Sequence, residues 1–216
     1  MSCAGQDTLA RKEHLSDSVI AHYYVLGASP NVKVGMYEVF LKHRTLLVRG
    51  RYNNGKKSGV WQFFDIKGGL NEKYNYDRKQ FTYEAPLYSS PDFSFLFDDS
   101  VKVGDRLTRP LKIGGVYYGF IPYLSVYKLP FETYDVNTYL FQAYIELLIS
   151  PMGRLADYNV RVVSSDYQYD RTFNIDVHLF SDEDRTFTPA TKNGVPVISR
   201  ILIRCFVTQS GGLDFY

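Results

Sequence analysis

A degenerate aromatic repeat constrains the first half of this chain more than any other feature. Gly35-Met36-Tyr37-Glu38-Val39-Phe40 is echoed 24 residues later by Gly59-Val60-Trp61-Gln62-Phe63-Phe64. After each comes a Leu and then a Tyr-rich stretch, Leu47 to Tyr52 and Leu70 to Tyr76. The turns between are polar and glycine-rich, as in Asn53-Asn54-Gly55-Lys56 and Lys67-Gly68-Gly69. Asn-Gly supplies residues that tolerate positive φ, which a tight hairpin needs. Short aromatic strands at this spacing predict a twisted antiparallel meander. Composition points the same way, with 19 Tyr and 15 Phe against a single Trp, because wide, stiff rings pack well on a pleated surface. Trp61 is expected to pack between hairpins, since aromatics dominate small β cores.

Several function classes find no support. The formal net charge is +2, and a nucleic-acid binder concentrates cations on one face. Lys56-Lys57 reads as a solvated turn. No run of about 18 apolar residues occurs, so no transmembrane helix is expected. The two cysteines, Cys3 and Cys205, make no disulfide framework and no metal-ligand spacing. Cys205 shares a strand face with Ile201, Ile203 and Val207 and reads as a small buried hydrophobe. Met1-Ser2-Cys3-Ala4-Gly5-Gln6-Asp7 fits the tail of a secretory leader, with Ser2 and Ala4 as small residues before the cut. Cys3 is then either lipidated or within a removed leader. An ordinary disordered N-terminus is the alternative.

Residues 86 to 112 read as a connector. Pro86, Pro91 and Pro110 punctuate it, Asp98-Asp99-Ser100 and Gly104-Asp105 are turn signals, and Phe93, Phe95 and Phe97 alternate in one short strand. Beyond it, Phe120, Leu124 and Tyr127 form the stripe of a short helix that Pro130 stops. Phe141, Ala143, Ile145, Leu147 and Ile149 fall on one face of a strand, with Gln142, Tyr144 and Glu146 on the other. Ser150-Pro151-Met152-Gly153 has the chemistry of a type I turn. A second strand carries Tyr158, Val160 and Val162 against Asn159 and Arg161. Asp170 is placed as the N-cap of a second helix carrying Phe173, Val177 and Phe180. Asn193-Gly194 makes a turn before a last strand from Val197 to Val207.

Tyr52, Asn54-Gly55-Lys56, Gly59-Val60-Trp61 and Phe63-Phe64 resemble the MORN-type repeats of YwqK-like bacterial proteins, over roughly residues 33 to 85. That resemblance implies a β-sheet surface and no particular chemistry. Three later pieces agree in order: Pro110-Leu111-Lys112-Ile113-Gly114-Gly115, Ile149-Ser150-Pro151-Met152-Gly153-Arg154-Leu155, and Phe187-Thr188-Pro189-Ala190-Thr191-Lys192-Asn193-Gly194-Val195-Pro196-Val197. Together they are similar to the C-terminal domain of TonB, over about residues 109 to 208. TonB also has an N-terminal membrane helix and a Pro-rich spacer. Neither is seen in this sequence, so energy transduction is not implied.

The expected fold class is therefore α+β. Residues 1–20 are a leader remnant or disordered, and residues 21–108 a MORN-like antiparallel β region with connector. Residues 109–208 form a two-helix, three-stranded TonB-C-like domain, and residues 209–216 a loose tail. The resemblance implies a non-catalytic protein of the periplasm or cell envelope that binds an extended protein segment, such as part of an envelope or outer-membrane protein. Pairing would be by β-augmentation on a last edge strand, through Arg200, Leu202, Ile203, Arg204 and Phe206. A second reading is that these arginines only guard the edge. A structural or antitoxin-like cytoplasmic protein acting through the first sheet is the alternative function, and a second copy of the chain stays open as a partner.

No motif of catalysis is complete, and no cofactor or metal is expected. Gly50 to Lys57 is a near miss to a phosphate-binding loop, with Lys57 where Ser or Thr must hold magnesium, and a hairpin where a helix must follow. His14, His22, His43 and His178 are scattered. Asp182-Glu183-Asp184 lacks the spacing of a calcium loop. Gly114-Gly115 is expected to permit a turn before a helix.

Overall fold

The computed structural model describes residues 7–86, 92–98, 100–130 and 136–215. The chain divides into two compact units. One comprises the described residues of Met1–Pro86 together with Gly114–Tyr118, the other those of Leu87–Ile113 and Gly119–Tyr216. Among the described residues, no helix is long and apolar enough to cross a membrane.

The first unit is a seven-stranded antiparallel meander. Its strands are β1 (Thr8–His14), β2 (Val19–Leu26), β3 (Ser29–Leu41), β4 (Thr45–Asn53), β5 (Lys56–Phe64), β6 (Leu70–Asn75) and β7 (Gln80–Glu84). Each pairs with the next in sequence. The turn chemistry of the repeat is realised: Asn54 and Gly55 sit at φ 47° and 81°. At Lys67-Gly68-Gly69 the Asp65 carboxylate accepts the Lys67 and Gly69 N–H groups, both at 2.8 Å. The sheet begins earlier than the repeat, because β1 and β2 use residues 8 to 26. Of the stretch 1–20 expected as leader or disorder, the part from Thr8 is folded, with Val19 and Ile20 in the core. Cys3 lies outside the described residues.

One face of this sheet carries an aromatic ladder. Tyr23 lies directly opposite Tyr37, Trp61 opposite Tyr74, and Tyr74 opposite Phe81. Ring centroids run 6.0 Å from Tyr23 to Tyr37, 5.4 Å from Tyr37 to Trp61, and 5.1 Å from Tyr74 to Phe81. Such pairs contribute about 0.5–1.5 kcal/mol each beyond their burial. Trp61 is wholly buried, as its place in the repeat predicts, and its indole N–H donates to the Arg51 carbonyl at 3.2 Å. Gly114–Tyr118 lies on this face. Gly114 N–H donates to Glu72 Oε1 at 2.9 Å, Val116 N–H donates to Asn71 Oδ1 at 3.1 Å, and Tyr118 stacks on Phe63 at 5.9 Å. A Cβ on Gly115 would come within 3.2 Å of Phe63 Cβ. The glycine pair therefore serves a close approach of backbone to sheet as well as a turn.

The second unit holds a six-stranded and a three-stranded sheet. Its elements are β8 (Phe93–Phe97), β9 (Leu107–Thr108), α1 (Ile121–Ser125), β10 (Gln142–Ile149), β11 (Leu155–Ser164), β12 (Tyr169–Asn174), β13 (Thr191–Lys192), β14 (Val195–Pro196), β15 (Ser199–Val207) and β16 (Leu213–Phe215). The larger sheet has the order β12-β11-β10-β15-β16, with β8 also on β15. Its core face is the one read from alternation. Ala143, Ile145, Leu147, Val160, Val162, Ile201, Ile203, Cys205 and Val207 are all fully buried. Burying each larger aliphatic chain contributes about 1.5–3 kcal/mol. The Ser150–Gly153 turn forms as expected, with Gly153 N–H donating to the Ser150 carbonyl at 2.9 Å.

The α+β class with a two-helix domain is overturned: the described residues are mostly β, in three antiparallel sheets. The first expected helix exists as the five residues of α1, preceded by a 3₁₀ turn at Tyr118–Phe120. The second does not form. Asp170 caps nothing, because it sits in β12 and holds Arg161 of β11 by two bonds of 3.0 and 2.7 Å. Tyr169 and Phe173 share one strand face and are half-buried, but Arg171 between them on that face is exposed, so β12 shows no clear alternation to set against the spacing of Phe173, Val177 and Phe180. What remains is the 3₁₀ turn Val177–Leu179, capped by Asp176 accepting the His178 N–H at 2.9 Å.

Two further readings are corrected. Residues 213–215 are not loose: Leu213, Asp214 and Phe215 are buried in β16. The last strand is not an edge. β15 pairs with β10 from Ser199 to Phe206, and on its other side with β8 from Ser199 to Ile203 and with β16 from Cys205 to Val207. Both of its backbone sides are thereby occupied, and no extended peptide can add there.

Candidate functional site

The reverse face of the six-stranded sheet is open. Direct pairing sets its rows. Leu202 lies opposite Glu146, which lies opposite Asn159 and then Asn174. Arg204 lies opposite Tyr144, then Arg161, then Thr172. Phe206 lies opposite Gln142, then Val163, then Asp170. These rows surround a concavity of about 560 Å³ lined by Tyr144, Glu146, Asn159, Arg161, Val163, Thr172 and Leu202.

Of the residues expected to bind a partner, Arg200, Leu202, Arg204 and Phe206 share this face half-buried, and Leu202 lines the concavity. Ile203 points the other way into the core. The arginines are held by carboxylates. Arg200 donates to Glu146 at 2.7 Å and to Asp98 at 3.0 Å, and Arg204 lies 3.3 Å from Asp92. Hydrogen bonding to Asp98 raises the Arg200 pKa. The bidentate Arg161 bond holds the Asp170 carboxyl below its usual range, and Asp170 raises Arg161 in turn. At the far end Asn174 Nδ2 donates to Asp157 at 2.6 Å and to Asn159 at 3.1 Å. Charge is thus neutralised pair by pair. Aromatic and aliphatic surface from Tyr144, Val163 and Leu202 lies between the pairs.

The concavity adjoins a true sheet end. β12 is the terminal strand, and among the described residues no strand lies on its outer side. Asp170, Arg171, Thr172 and Asn174 are exposed along it. The unpaired N–H and C=O groups of such a strand are the template for adding a further strand. Alternation in the sequence had already sorted Tyr144, Glu146, Asn159 and Arg161 onto the polar face. Thr172 and the β12 edge were hidden by the helix expected there.

Other groups are built into the fold. Burial pushes the Cys205 thiol well up, which removes its nucleophilic thiolate. Asp182 pairs with Arg154 at 2.6 Å, and Asp184 lies 3.3 Å from Lys112. Two of the three carboxylates of the acidic triplet are therefore engaged in ion pairs. Lys112 is itself buried between the Tyr123 and Phe187 rings, 5.7 and 5.4 Å from their centroids. Gly55 lies in a hairpin turn and Lys56 opens β5, without the helix a phosphate loop requires. Among the described residues, no group of three or more His, Cys, Asp or Glu side chains is arranged to hold a metal ion. No protein-family model, curated protein or solved structure matches the chain.

Proposed function

We propose that this chain is a non-catalytic binding protein that takes an extended protein segment as an added strand along β12. The observation that carries the reading is the terminal position of Tyr169–Asn174 in its sheet, beside the concavity on the same strands. Main-chain hydrogen bonds to β12 supply affinity, and alternate side chains of the segment reach the open face past Thr172, where Tyr144, Val163 and Arg161 supply selectivity. A bacterial envelope location belongs to the proposal and rests on the sequence resemblance to TonB's last domain alone.

The test places a photo-crosslinking amino acid at Thr172 and, as a control, at Met152, which is 85% exposed. Each tagged variant is irradiated in bacterial envelope extract, and its adducts are identified by mass spectrometry. A recurrent protein adduct from position 172 that is absent from position 152 is the expected result. The same adducts from both positions, or none from 172, contradict the reading.

A further inference from the structure

The seven-stranded sheet has a second face, the reverse of its aromatic ladder. Directly paired residues of antiparallel strands lie on one face. One such row crosses the whole sheet, from Lys12 on β1 through Glu38, Arg49 and Lys73 to Tyr83 on β7. The neighbouring row adds Arg51, opposite Met36. Lys12, Arg49 and Arg51 are exposed. So are Tyr24, Met36, Val60 and Tyr83, which are 40–47% exposed and belong to the same face by alternation.

The charge on this face is segregated. Five cations, Lys12, Arg49, Arg51, Lys56 and Lys73, accompany one carboxylate, Glu38, which already accepts from Arg49 at 2.9 Å. Among the described residues, Lys12, Arg51 and Lys73 make no ion pair. The other acidic residues of these strands point the other way. Glu13 pairs with Lys33 on the ladder face, and Glu72 is buried there with Glu84 opposite it. A chain of net charge +2 thus collects a surplus of cations on one face of the sheet, among exposed Tyr and Met. Arg, Tyr and Met are the residues enriched at protein interfaces.

We infer that this face docks an acidic protein segment. Strands lie about 4.8 Å apart, so across the sheet the cations of β4 stand about 14 Å from that of β1 and about 10 Å from that of β6. An extended segment repeats on one face about every 7 Å, and its carboxylates four positions apart, about 14 Å, match the wider of these spacings. Duplex nucleic acid carries a charge about every 1.7 Å of its axis and would leave most phosphates unneutralised here. Met36, Tyr24 and Val60 offer apolar contact between the cations, which a protein segment can use. This site is separate from the β12 edge and does not depend on it.

Fluorescence anisotropy of the full chain tests the inference. The probes are an extended peptide of alternating Glu and Thr, its Gln–Thr counterpart, phosphatidylglycerol vesicles and a thymidine oligonucleotide. The Glu peptide is expected to bind over the Gln peptide and to weaken with salt. The triple variant Lys12→Gln, Arg51→Gln, Lys73→Gln is expected to lose about tenfold in affinity, or 1.4 kcal/mol. The control Lys42→Gln, Arg44→Gln, Lys67→Gln removes three exposed turn cations and is expected to keep it. Circular dichroism confirms both folds. Equal loss in both variants, no preference for the Glu peptide, no binding, or binding of vesicles or oligonucleotide alone overturns the inference.

Discussion

The indole of Trp61 lies directly on the backbone of Gly50: a Cβ built on Gly50 would come within 2.2 Å of Trp61 Cδ2. Gly50 sits opposite Tyr37 in the ladder, so the missing side chain is the space the indole fills. Trp61→Ala is expected to cost about 3–5 kcal/mol, as for other buried large aromatics cut to Ala. Gly50→Ala is expected to cost about 1–3 kcal/mol through overpacking. The double variant is expected to cost clearly less than the sum, because removing the ring removes the clash. Urea unfolding of the four proteins checks this, and simple additivity counts against the packing described.

Lys112 supplies a second prediction. Its side chain is 3% exposed, and its Nζ donates to the Glu183 carbonyl at 3.2 Å and lies 3.3 Å from Asp184. Lys112→Met keeps the apolar stem between Tyr123 and Phe187 but leaves a carbonyl and a carboxylate without their cation. Breaking one partner of a buried pair costs about 3–5 kcal/mol, and the quarter exposure of Asp184 places this case at the lower end, near 3 kcal/mol. Paired denaturation of Lys112→Met and the double variant Lys112→Met, Asp184→Asn checks it. The second change is expected to recover part of the loss.

Tyr37 makes the alkaline limb of stability testable. Burial is the main cause that pushes its phenol from 10.0 up to about 12. A raised acid pKa means that the folded state holds its proton more tightly than the unfolded state. The contribution is therefore complete below pH 10 and is lost as pH rises from 10 toward 12. Tyr118, its hydroxyl 3.5 Å away, is raised in the same direction by burial. Stability measured across this range is expected to fall with pH, and the slope is expected to shrink in Tyr37→Phe. An unchanged slope in that variant contradicts the burial of Tyr37.

Much of the architecture is legible in the sequence, and the remainder fails for identifiable reasons. The strand from Phe141 to Ile149 can be read because a strict period of two assigns every residue to one face. The Asn54-Gly55 hairpin and the burial of Trp61 can be read because turn and packing are local. The edge status of β15 cannot. Its second side is closed by Phe93–Phe97 and Leu213–Phe215, and no local pattern announces which distant segments will pair. The helix expected after Asp170 fails by a mixed signal, since Asp170 is good both as a cap and as a partner for Arg161. The arginines at 200 and 204 are correctly placed on one face with Leu202 and Phe206. Their availability depends on Asp98, Glu146 and Asp92, which only the fold brings to them.

Proline substitution tests most directly whether β12 is a binding edge. Along a strand, neighbouring N–H groups point to opposite sides, so one of Arg171 and Thr172 donates toward β11 and the other toward solvent. Proline is tolerated in a sheet only where the N–H faces solvent at an edge. Of Arg171→Pro and Thr172→Pro, one is therefore expected to keep the wild-type circular dichroism spectrum. The decisive measurement is capture by that folded variant of the protein crosslinked at position 172. Loss of capture with the fold intact is the expected result, and wild-type capture would contradict strand addition along β12.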